Sequence, residues 1–417
     1  MTTSTQIIQK GYKQTEIGVI PAAWETTKAG DIGRFRGGNG FPTRFQGAAS
    51  GDYPFYKVSD MNNEGNDTFM FDSNNWISEE VRRQINARVF PAGGIIFAKV
   101  GAAVFLERKK ILTKPSCIDN NLATLLLDTS RADTRYIHYV LHSIKFGALV
   151  STTALPSLSG QVLSQIILAL PALCEQAVIA TALSDTDALI DKLDALLEKK
   201  KNIKQGAMQE LLIGKRRLPG FSGEWEKKTL GEIAEVIGGG TPSSSVSRYW
   251  NGDINWFTPT EVGLDKYIYQ SRRKITEEGL QNSSAKILNR GTILLTSRAG
   301  IGDLAILKVE GCTNQGFQSL SPGDNVDGEF LYYMMLTKKG ALLDKASGST
   351  FLEISPNNVK SISVQLPPKR EQVAIAEVLS DMDADIQVLE SQLTKYQNLK
   401  QGMMQVLLTG KIRLLAN

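Results

Sequence analysis

Side chains that can hydrogen-bond to the edges of nucleic-acid bases occur in the loops of two separate stretches of the chain. Arginine and lysine can donate to guanine O6 and N7, and asparagine and glutamine can pair bidentately with adenine. Any single residue of this kind is more often an ordinary surface or turn residue, so the prediction concerns the group. The candidates are Arg36, Asn39, Lys57, Ser59, Lys99, Asn120 and Asn121 in the first stretch, and Thr241, Ser243, Tyr249, Thr258, Arg272, Arg298, Asn314 and Gln315 in the second.

No motif for catalysis accompanies these residues. The Gly-Lys pairs at Gly214 and Gly410 lack the rest of a phosphate-binding loop, and no GxSxG, HExxH or NPPY-type amino-methylation sequence occurs. His138 and His142 are four residues apart on a predicted helix, a spacing that could bind a metal, but no carboxylate lies between them. We therefore predict a structural role for both histidines, no metal site and no catalytic residue.

The composition is that of a globular protein. The chain has 417 residues, 42% of them hydrophobic and 22% charged, which predicts two or three domains. A net charge of +4 permits a nucleic-acid partner without requiring one. Three widely spaced cysteines argue against disulfides and zinc, and we found neither a signal peptide nor a membrane-spanning apolar run. These features favour the cytoplasm.

A repeated segment suggests how the loops are positioned. Residues 170–218 align without a gap with residues 366–414, at an offset of 196 (366 minus 170), and more than half of the positions are identical. Proline at the start, glutamate in the first turn and glycine after the last apolar residue predict one long helix in each copy. A helix of roughly 40 residues is about 60 Å long.

Apolar residues in both predicted helices alternate in spacings of four and three, the heptad pattern of a coiled coil. Two such seams in one chain pack most simply on each other as an antiparallel pair. Lys200, Lys204 and Lys400 interrupt the pattern. The predicted seam consists of Ile179, Leu183, Ile190, Leu193 and Leu197 in the first helix and Ile375, Leu379, Ile386, Leu389 and Leu393 in the second.

The segments that precede the two helices are related more weakly. An offset of 201 aligns Trp24 and Gly38 with Trp225 and Gly239, and short β-branched runs between turn residues predict strands. We predict an α+β fold with two domains of bent β-sheet, separated by two long antiparallel coiled-coil helices in a pseudo-twofold arrangement. The predicted domains are 1–170 and 217–366, and the predicted helical spacers are 171–216 and 367–417.

The sequence resembles DNA-specificity subunits of type I restriction–modification systems over essentially its whole length. The most specific stretch starts at Gly348, GSTFLEISPNNVKSISVQLPPKREQVAIAEVLSDMDADI, and ends in LKQGMMQVLLTGKIRL. GYKQTEIGVIPAAWE and FSGEWEKKTLGEIAEVIGGGTPS are similar to the opening segments of target-recognition domains. The first junction, TTALPSLSGQVLSQIILALPA, departs from the family pattern because it lacks the ISP and VK residues.

The resemblance implies a chain without catalysis of its own. Each target-recognition domain would contact one half of an asymmetric, bipartite double-stranded DNA site, and the helices would set the spacing and dock two methyltransferase (modification) subunits. Two restriction subunits, which combine a translocase and a nuclease, would complete the complex. No cofactor is expected on this chain, whereas S-adenosylmethionine, ATP and Mg²⁺ are expected on the partner subunits.

Two alternatives stay open. One is a single-chain DNA methyltransferase or nuclease with its own recognition domains, against which the missing nucleotide loop and amino-methylation motif argue. The other is a coiled-coil scaffold whose variable domains bind proteins. Methyl transfer by the isolated chain would establish the first, and sequence-dependent DNA binding by the assembled complex would exclude the second.

Overall fold

The computed structural model describes residues 8–150, 156–298, 300–348 and 352–414. The chain forms two compact units: Met1–Lys192 with Leu393–Asn417, and Leu193–Gln392. Each unit therefore contains one part of each long helix. The predicted boundaries instead treat each long helix as a separate segment. Residues 152–155 of the first junction and 349–351 of the second lie outside the described residues.

The first unit contains a five-stranded and a three-stranded sheet. Its strands are β1 (Tyr12–Thr15), β2 (Gly18–Pro21), β3 (Glu25–Lys28), β4 (Gly33–Gly37), β5 (Tyr53–Tyr56), β6 (Phe69–Met70), β7 (Trp76–Ile77), β8 (Ile95–Ala98), β9 (Lys109–Leu112), β10 (Cys117–Ile118), β11 (Leu122–Leu127) and β12 (Ile167–Leu170). Its helices are α1 (Ala29–Ile32), α2 (Glu79–Gln84), α3 (Thr134–Ser143) and α4 (Gly160–Ser164), and the long α5 (Leu173–Leu211) follows. The strand orders are β4-β11-β8-β9-β6 and β10-β5-β7, with β1-β2 and β12-β3 as separate pairs.

The second unit repeats this arrangement. Its strands are β13 (Glu226–Thr229), β14 (Ala234–Gly238), β15 (Trp250–Phe257), β16 (Tyr267–Ile268), β17 (Arg273–Ile275), β18 (Ile293–Leu295), β19 (Leu304–Leu307), β20 (Gly311–Thr313), β21 (Gln318–Pro322) and β22 (Ser363–Leu366). Its helices are α6 (Leu230–Ile233), α7 (Glu277–Gln281), α8 (Gly328–Leu336), α9 (Lys339–Asp344) and α10 (Pro356–Lys360), and the long α11 (Lys369–Leu407) follows. The strand orders are β14-β21-β18-β19-β16 and β17-β15-β20, with β13-β22 as a pair.

The two units have the same topology, which confirms the predicted α+β class and the relationship between the two variable segments. In both five-stranded sheets an edge strand pairs in parallel with its neighbour, Phe69 opposite Ile111 in one unit and Tyr267 opposite Ile306 in the other. In both three-stranded sheets the central strand also has a parallel neighbour. Parallel pairs join strands that are distant in sequence, so they gather loops that no local pattern connects.

The two junctions form the same elements although their sequences differ. Ser159 caps α4 by accepting a hydrogen bond from the Val162 amide, and Ser355 caps α10 in the same way from Asn358. β12 and β22 then pair with β3 and β13. The first junction therefore forms the same helix and strand as the second without the ISP and VK residues, because its Ser-Gly step supplies an equivalent N-cap.

The long helices pack antiparallel within each unit. In the second unit Lys200 contacts Asp385 at 2.8 Å, and Lys204, one turn further along α5, contacts Asp383. In the first unit Lys400 of α11 pairs with Asp187 of α5 at 2.5 Å. The lysines that interrupt the seam thus pair with acidic residues of the opposite helix.

The predicted seam residues are buried or half-buried along both helices. Ile179 and Leu183 join the core of the first unit together with Leu407 of the opposite helix. Ile375 and Leu379 join the core of the second unit in the corresponding way, with Ala207 and Leu211. Both helices are 39 residues long, or roughly 59 Å. Within the four described ranges, no helix is both long and apolar enough to cross a membrane.

Candidate nucleic-acid interface

Two glycines at the end of a sheet strand position the candidate residues in each unit. A Cβ atom on Gly38 would collide with the carbonyl oxygen of Asp119, and one on Gly239 would collide with that of Asn314. Only glycine permits the end of β4 to approach the loop after β10 so closely. The same holds for the end of β14 and the loop after β20. Gly38 and Gly239, which the offset of 201 aligns, therefore each allow two loops of their unit to come into contact.

In the first unit, backbone hydrogen bonds draw four loops together at this point. The Asn39 amide donates to Ile118 O at 3.0 Å, and the Lys99 amide donates to Asn121 O at 2.8 Å. The Asp119 amide donates to the oxygen of Tyr56, the residue before Lys57, at 2.9 Å. The loops after β4, β5, β8 and β10 consequently meet, and they contain Asn39, Lys57, Ser59, Lys99, Asn120 and Asn121.

The side chains of these residues are engaged to different degrees. Asn39 uses both ends of its amide on the backbone, accepting from Arg88 N at 2.9 Å and donating to Asn86 O at 3.1 Å. Lys57 donates to Gln46 Oε1 at 2.9 Å, and the ammonium of Lys99 lies against Gly37. The exposed candidates of this unit are Arg36 on β4, Ser59 and Asn120. Asn39 therefore orders the loop, and the exposed residues are the ones available to a ligand.

In the second unit the corresponding loops converge with different side chains. The Asn314 amide donates to Phe257 O at 3.0 Å, and Ser297 N donates to Gly316 O at 2.8 Å. Thr241 donates its hydroxyl hydrogen to Gln315 Oε1. Asn314 Oδ1 accepts from Gly316 N at 2.8 Å, and Arg298 Nε lies 3.4 Å from the position of a Cβ on Gly316. Thr241, Arg298, Asn314 and Gln315 thus form one group.

Thr258 and Arg272 border this group through a shared carboxylate. The Thr258 amide and hydroxyl both donate to Glu261 Oε2, at 2.8 and 2.7 Å, which caps a 3-10 helix over Pro259–Glu261. The Arg272 amide donates to Glu261 Oε1 at 2.7 Å, and its side chain is exposed. Thr258 is therefore a capping residue, whereas the guanidinium of Arg272 faces solvent.

Ser243 and Tyr249 lie beside a tryptophan pair instead. Trp250 donates to Ser243 O at 3.1 Å and packs edge-on against Trp256 at 5.0 Å between centroids. The guanidinium of Arg273 stacks over Trp250 at 3.7 Å from the ring centroid. Ser243 and Tyr249 thus belong to a second surface of this unit.

The candidate cations of the two units lack an ion-pair partner among the residues that the structure describes. Across the part of the chain that the structure describes, no carboxylate lies within ion-pair distance of the candidate cations Arg36, Lys57, Lys99, Arg272 and Arg298. By contrast, Arg248, elsewhere in the second unit, pairs with Glu278 at 2.7 Å. Uncompensated cations at converging loops suit a polyanion, since a phosphate or a base edge would supply the missing acceptor.

Sequence reasoning missed Ser297 and Gln318. Ser297 Oγ and Gln318 Oε1 are buried without a hydrogen-bond partner among the described residues. The register of β14 with β21 places Gln318 opposite Gly238, and Ser297 precedes Arg298, so both lie at the same edge as the second group. Only the strand pairing shows this, because Gln318 is 80 residues from Gly238 (318 minus 238).

His138 and His142 have an internal partner. Their Nε2 atoms lie 2.8 and 3.0 Å from the carbonyl oxygen of Lys109, which ties α3 to β9. Burial lowers the pKa of His138 to about 3 and that of His142 to about 4. Among the residues that the structure describes, no group of three or more histidine, cysteine or acidic side chains is placed to hold a metal ion.

A comparison with known families adds a direct observation. The family model described as "Type I restriction modification DNA specificity domain" matches the chain twice, at residues 21–205 and 222–397. The chain belongs to this family. The resemblance recognised in the sequence is thereby confirmed, and each match covers a variable domain together with most of the long helix that follows it.

Individual specificity subunits are similar to the chain over different lengths. The putative MjaX specificity subunit of Methanocaldococcus jannaschii is 26% identical over 97% of both chains. The MjaIX specificity subunit of the same organism is 45% identical, but over only 38% of each chain. The crystal structure of the S subunit from M. genitalium superimposes with a TM-score of 0.58 at 15% identity, covering 92% of this chain and 96% of that one, and supports the fold.

Proposed function

We propose that this chain is the DNA sequence-specificity subunit of a type I restriction–modification complex and that each unit contacts one half of a bipartite, asymmetric site. The observation that supports this most directly is the same convergence of loops in both units, with uncompensated cations at each. The shared framework presents different side chains at its exposed positions, for example Asn120 against Gln315. Two related frameworks with different donors suit two different half-site sequences.

The division between positioning and reading follows from the chemistry of DNA. Lysine and arginine contacts to phosphates would set the register of each unit, and contacts to base edges would select the sequence. If both units contact one face of the duplex, the half-sites lie about one helical turn apart, roughly 10 bp centre to centre. With half-sites of a few base pairs, the unread gap is on the order of 5–8 bp.

The chemistry would belong to partner subunits. Two modification subunits that bind S-adenosylmethionine would dock on α5 and α11 and methylate adenine after turning the base out of the stack. Two restriction subunits would supply ATP- and Mg²⁺-dependent translocation and cleavage. The complex would act on DNA in the cytoplasm, and the role of this chain would be to fix where the modification subunits land.

The test is to co-express the chain with its modification subunit in a host that lacks adenine methylation and to map N6-methyladenine across the genome. We expect one split motif, with two short half-sites around a constant gap. Methyl transfer by the isolated chain with S-adenosylmethionine and DNA would instead favour the enzyme alternative. A soluble, associated pair of subunits that leaves the genome unmethylated would contradict the proposal.

A further inference from the structure

A cavity of about 220 Å³ lies within the first unit, between β6, α3 and the N-terminal half of α5. The residues that line it include Phe69, Tyr139, Ser184 and Asp187. Phe71, at its rim, is 57% exposed. The cavity therefore combines aromatic faces, hydroxyl groups and a carboxylate.

Strand register identifies the corresponding place in the second unit. The Ile111 amide donates to Thr68 O in the first unit, and the Ile306 amide donates to Lys266 O in the second, at 2.9 and 2.7 Å. The residues that follow, Phe69 and Tyr267, begin the equivalent edge strands. Thr68 and Lys266 are thus structural counterparts, and the surroundings of Lys266 can be compared with the cavity wall.

In the second unit the side chain of Lys266 fills this place. Its ammonium donates to Tyr333 OH at 2.8 Å and to Ser380 Oγ at 2.9 Å, and it lies 2.5 Å from Glu329. It also lies over the ring of Tyr333, at 4.3 Å from the centroid. This is a nearly complete coordination shell for a primary ammonium group.

The first unit keeps the tyrosine and the serine of this shell, and Thr68 stands in the position of Lys266; the ammonium of Lys400 lies 5.8 Å from the centroid of the Tyr139 ring. Tyr139, the counterpart of Tyr333, donates to Asp187 Oδ2 at 2.6 Å, as Tyr333 donates to Asp383 at 2.5 Å. Ser184 stands where Ser380 does. Asp67, which matches Asp265 of the second unit, and Asp191 also line the cavity, and Arg135 stands in the position of Glu329. Asp187 is also shared with Lys400.

We propose that the cavity of the first unit binds a primary alkylammonium group, in the position that Lys266 occupies in the second unit. The aliphatic stem would lie along Phe69, and the ammonium would reach the hydroxyl groups of Tyr139 and Ser184. The chemistry is that of a lysine side chain of a partner protein or of a free alkylamine. This inference is independent of which DNA sequence the chain contacts.

The first experiment measures binding of n-butylammonium to the full chain by ligand-observed NMR, with n-butanol as the uncharged control of the same length. We expect the ammonium ion to bind more than about tenfold more tightly than the alcohol, because the shell has cation–π and hydroxyl contacts for it. Equal binding of the two probes, or no binding, would overturn the proposal.

Substitutions locate the site. T68K/R135E restores the arrangement of the second unit, so it should raise the Tm above that of T68M/R135E and abolish n-butylammonium binding. Conversely, K266A should open a second site and double the binding stoichiometry, while K308A, which removes a neighbouring lysine on the same carboxylate, should not. If T68M/R135E is as stable as T68K/R135E, the cavity does not stabilise an ammonium group, and the inference is refuted.

A final comparison separates the two sources of the ammonium group. The NMR measurement is repeated on the chain assembled with its modification subunit. Loss of probe binding, with binding retained in the isolated chain, would identify a lysine of the partner as the occupant. Retained binding would identify a free amine. Both results require that the isolated chain bind the probe, so the absence of any binding contradicts the proposal in either case.

Discussion

At the scale of residues, the candidates fall into two sets: those whose side chains bond within the protein and those whose side chains are free to contact a ligand. Asn39 accepts from the Arg88 backbone amide, and the hydroxyl of Thr258 donates to the Glu261 carboxylate, as short polar side chains in loops commonly do. The guanidinium groups of Arg36, Arg272 and Arg298 form no ion pair among the described residues. Free donors on an ordered loop can be directed at a ligand, whereas Asn39 and Thr258 contribute mainly by holding the loop in shape.

Arg298→Ala should relax or abolish recognition of one half-site and leave the other unchanged. Loss of one base contact costs about 1–3 kcal/mol of discrimination. Methylation mapping of the co-expressed complex measures this directly. Arg290→Ala is the matched control, since exposed Arg290 lies before the same strand, β18, at its opposite end. An unaltered methylation motif in the Arg298 variant would show that this arginine does not contact a base.

The histidine pair predicts a pH dependence of stability. Both pKa values are lowered on folding, from 6.5 to about 3 and about 4, so the unfolded chain binds more protons between those values and 6.5. The free energy of unfolding should therefore fall as the pH drops below 6.5, by up to about 1.4 kcal/mol per pH unit for each histidine.

Chemical denaturation between about pH 5 and pH 7 checks this. In that range the histidines of the unfolded chain, with a pKa near 6.5, take up protons, whereas those of the folded chain stay largely neutral. The control is H138Q/H142Q, whose amides keep a donor for Lys109 O but do not titrate. This variant should have a flatter pH profile even if it is less stable at neutral pH. Identical slopes in the two proteins would show that other groups cause the dependence.

At the scale of elements, an ionic cluster closes the start of each long helix. Glu175 of α5 is 2% exposed and accepts from Arg413 at 2.9 and 2.6 Å and from Trp24 Nε1 at 3.0 Å. Glu371 of α11 accepts from Arg217 and Trp225 in the same way. In each unit the arginine follows the end of the other long helix, so the cluster fixes one helix end against the other helix start.

Arg413→Ala should destabilise the first unit by about 3 kcal/mol, because it leaves the buried carboxylate of Glu175 without its cation. Arg217→Ala should act on the second unit in the same direction. Thermal and denaturant unfolding of the full chain measure both effects. Lys411→Ala, which removes an exposed neighbouring cation, should change little. A loss in Arg413→Ala no larger than in Lys411→Ala would contradict this role.

At the scale of the whole molecule, the proposed spacing function depends on the length of α5 and α11. A seven-residue insertion in each helix preserves the heptad seam, and it lengthens both by about 10.5 Å. The insertion points are between Lys192 and Leu193 and between Gln392 and Leu393, where the compact units divide. At about 3.4 Å per base pair, the unread gap should widen by about three base pairs.

Methylation mapping gives the gap for the double insertion and for the native chain. The control is the same heptad placed in α5 alone, which displaces Lys200 and Lys204 from their acidic partners on α11 and should lose stability and methylation together. A double-insertion protein that methylates the native motif with the native gap would rule out the helices as the spacing element.

The sequence by itself determined the repeat, the two long helices, their seam and the α+β class. These features follow from local periodicity, caps and turn residues, which are visible in short windows. The junctions show the same principle, since an N-capping serine forms the same helix in two different sequences. The pseudo-twofold relation of the domains and the individual base contacts stay predictions.

Tertiary structure alone decided which of the predicted residues meet. Parallel pairing of β5 with β10 joins residues 62 apart in sequence (117 minus 55), that of β15 with β20 joins residues 56 apart (311 minus 255), and the two pairings gather the candidate loops. Non-local contacts also bonded the Asn39 amide to the backbone of Asn86 and Arg88, revealed Gln318 opposite Gly238, and placed Thr68 where the second unit has Lys266. Such pairing is chosen by the packing of the whole sheet, because a shift of one residue moves every side chain to the other face.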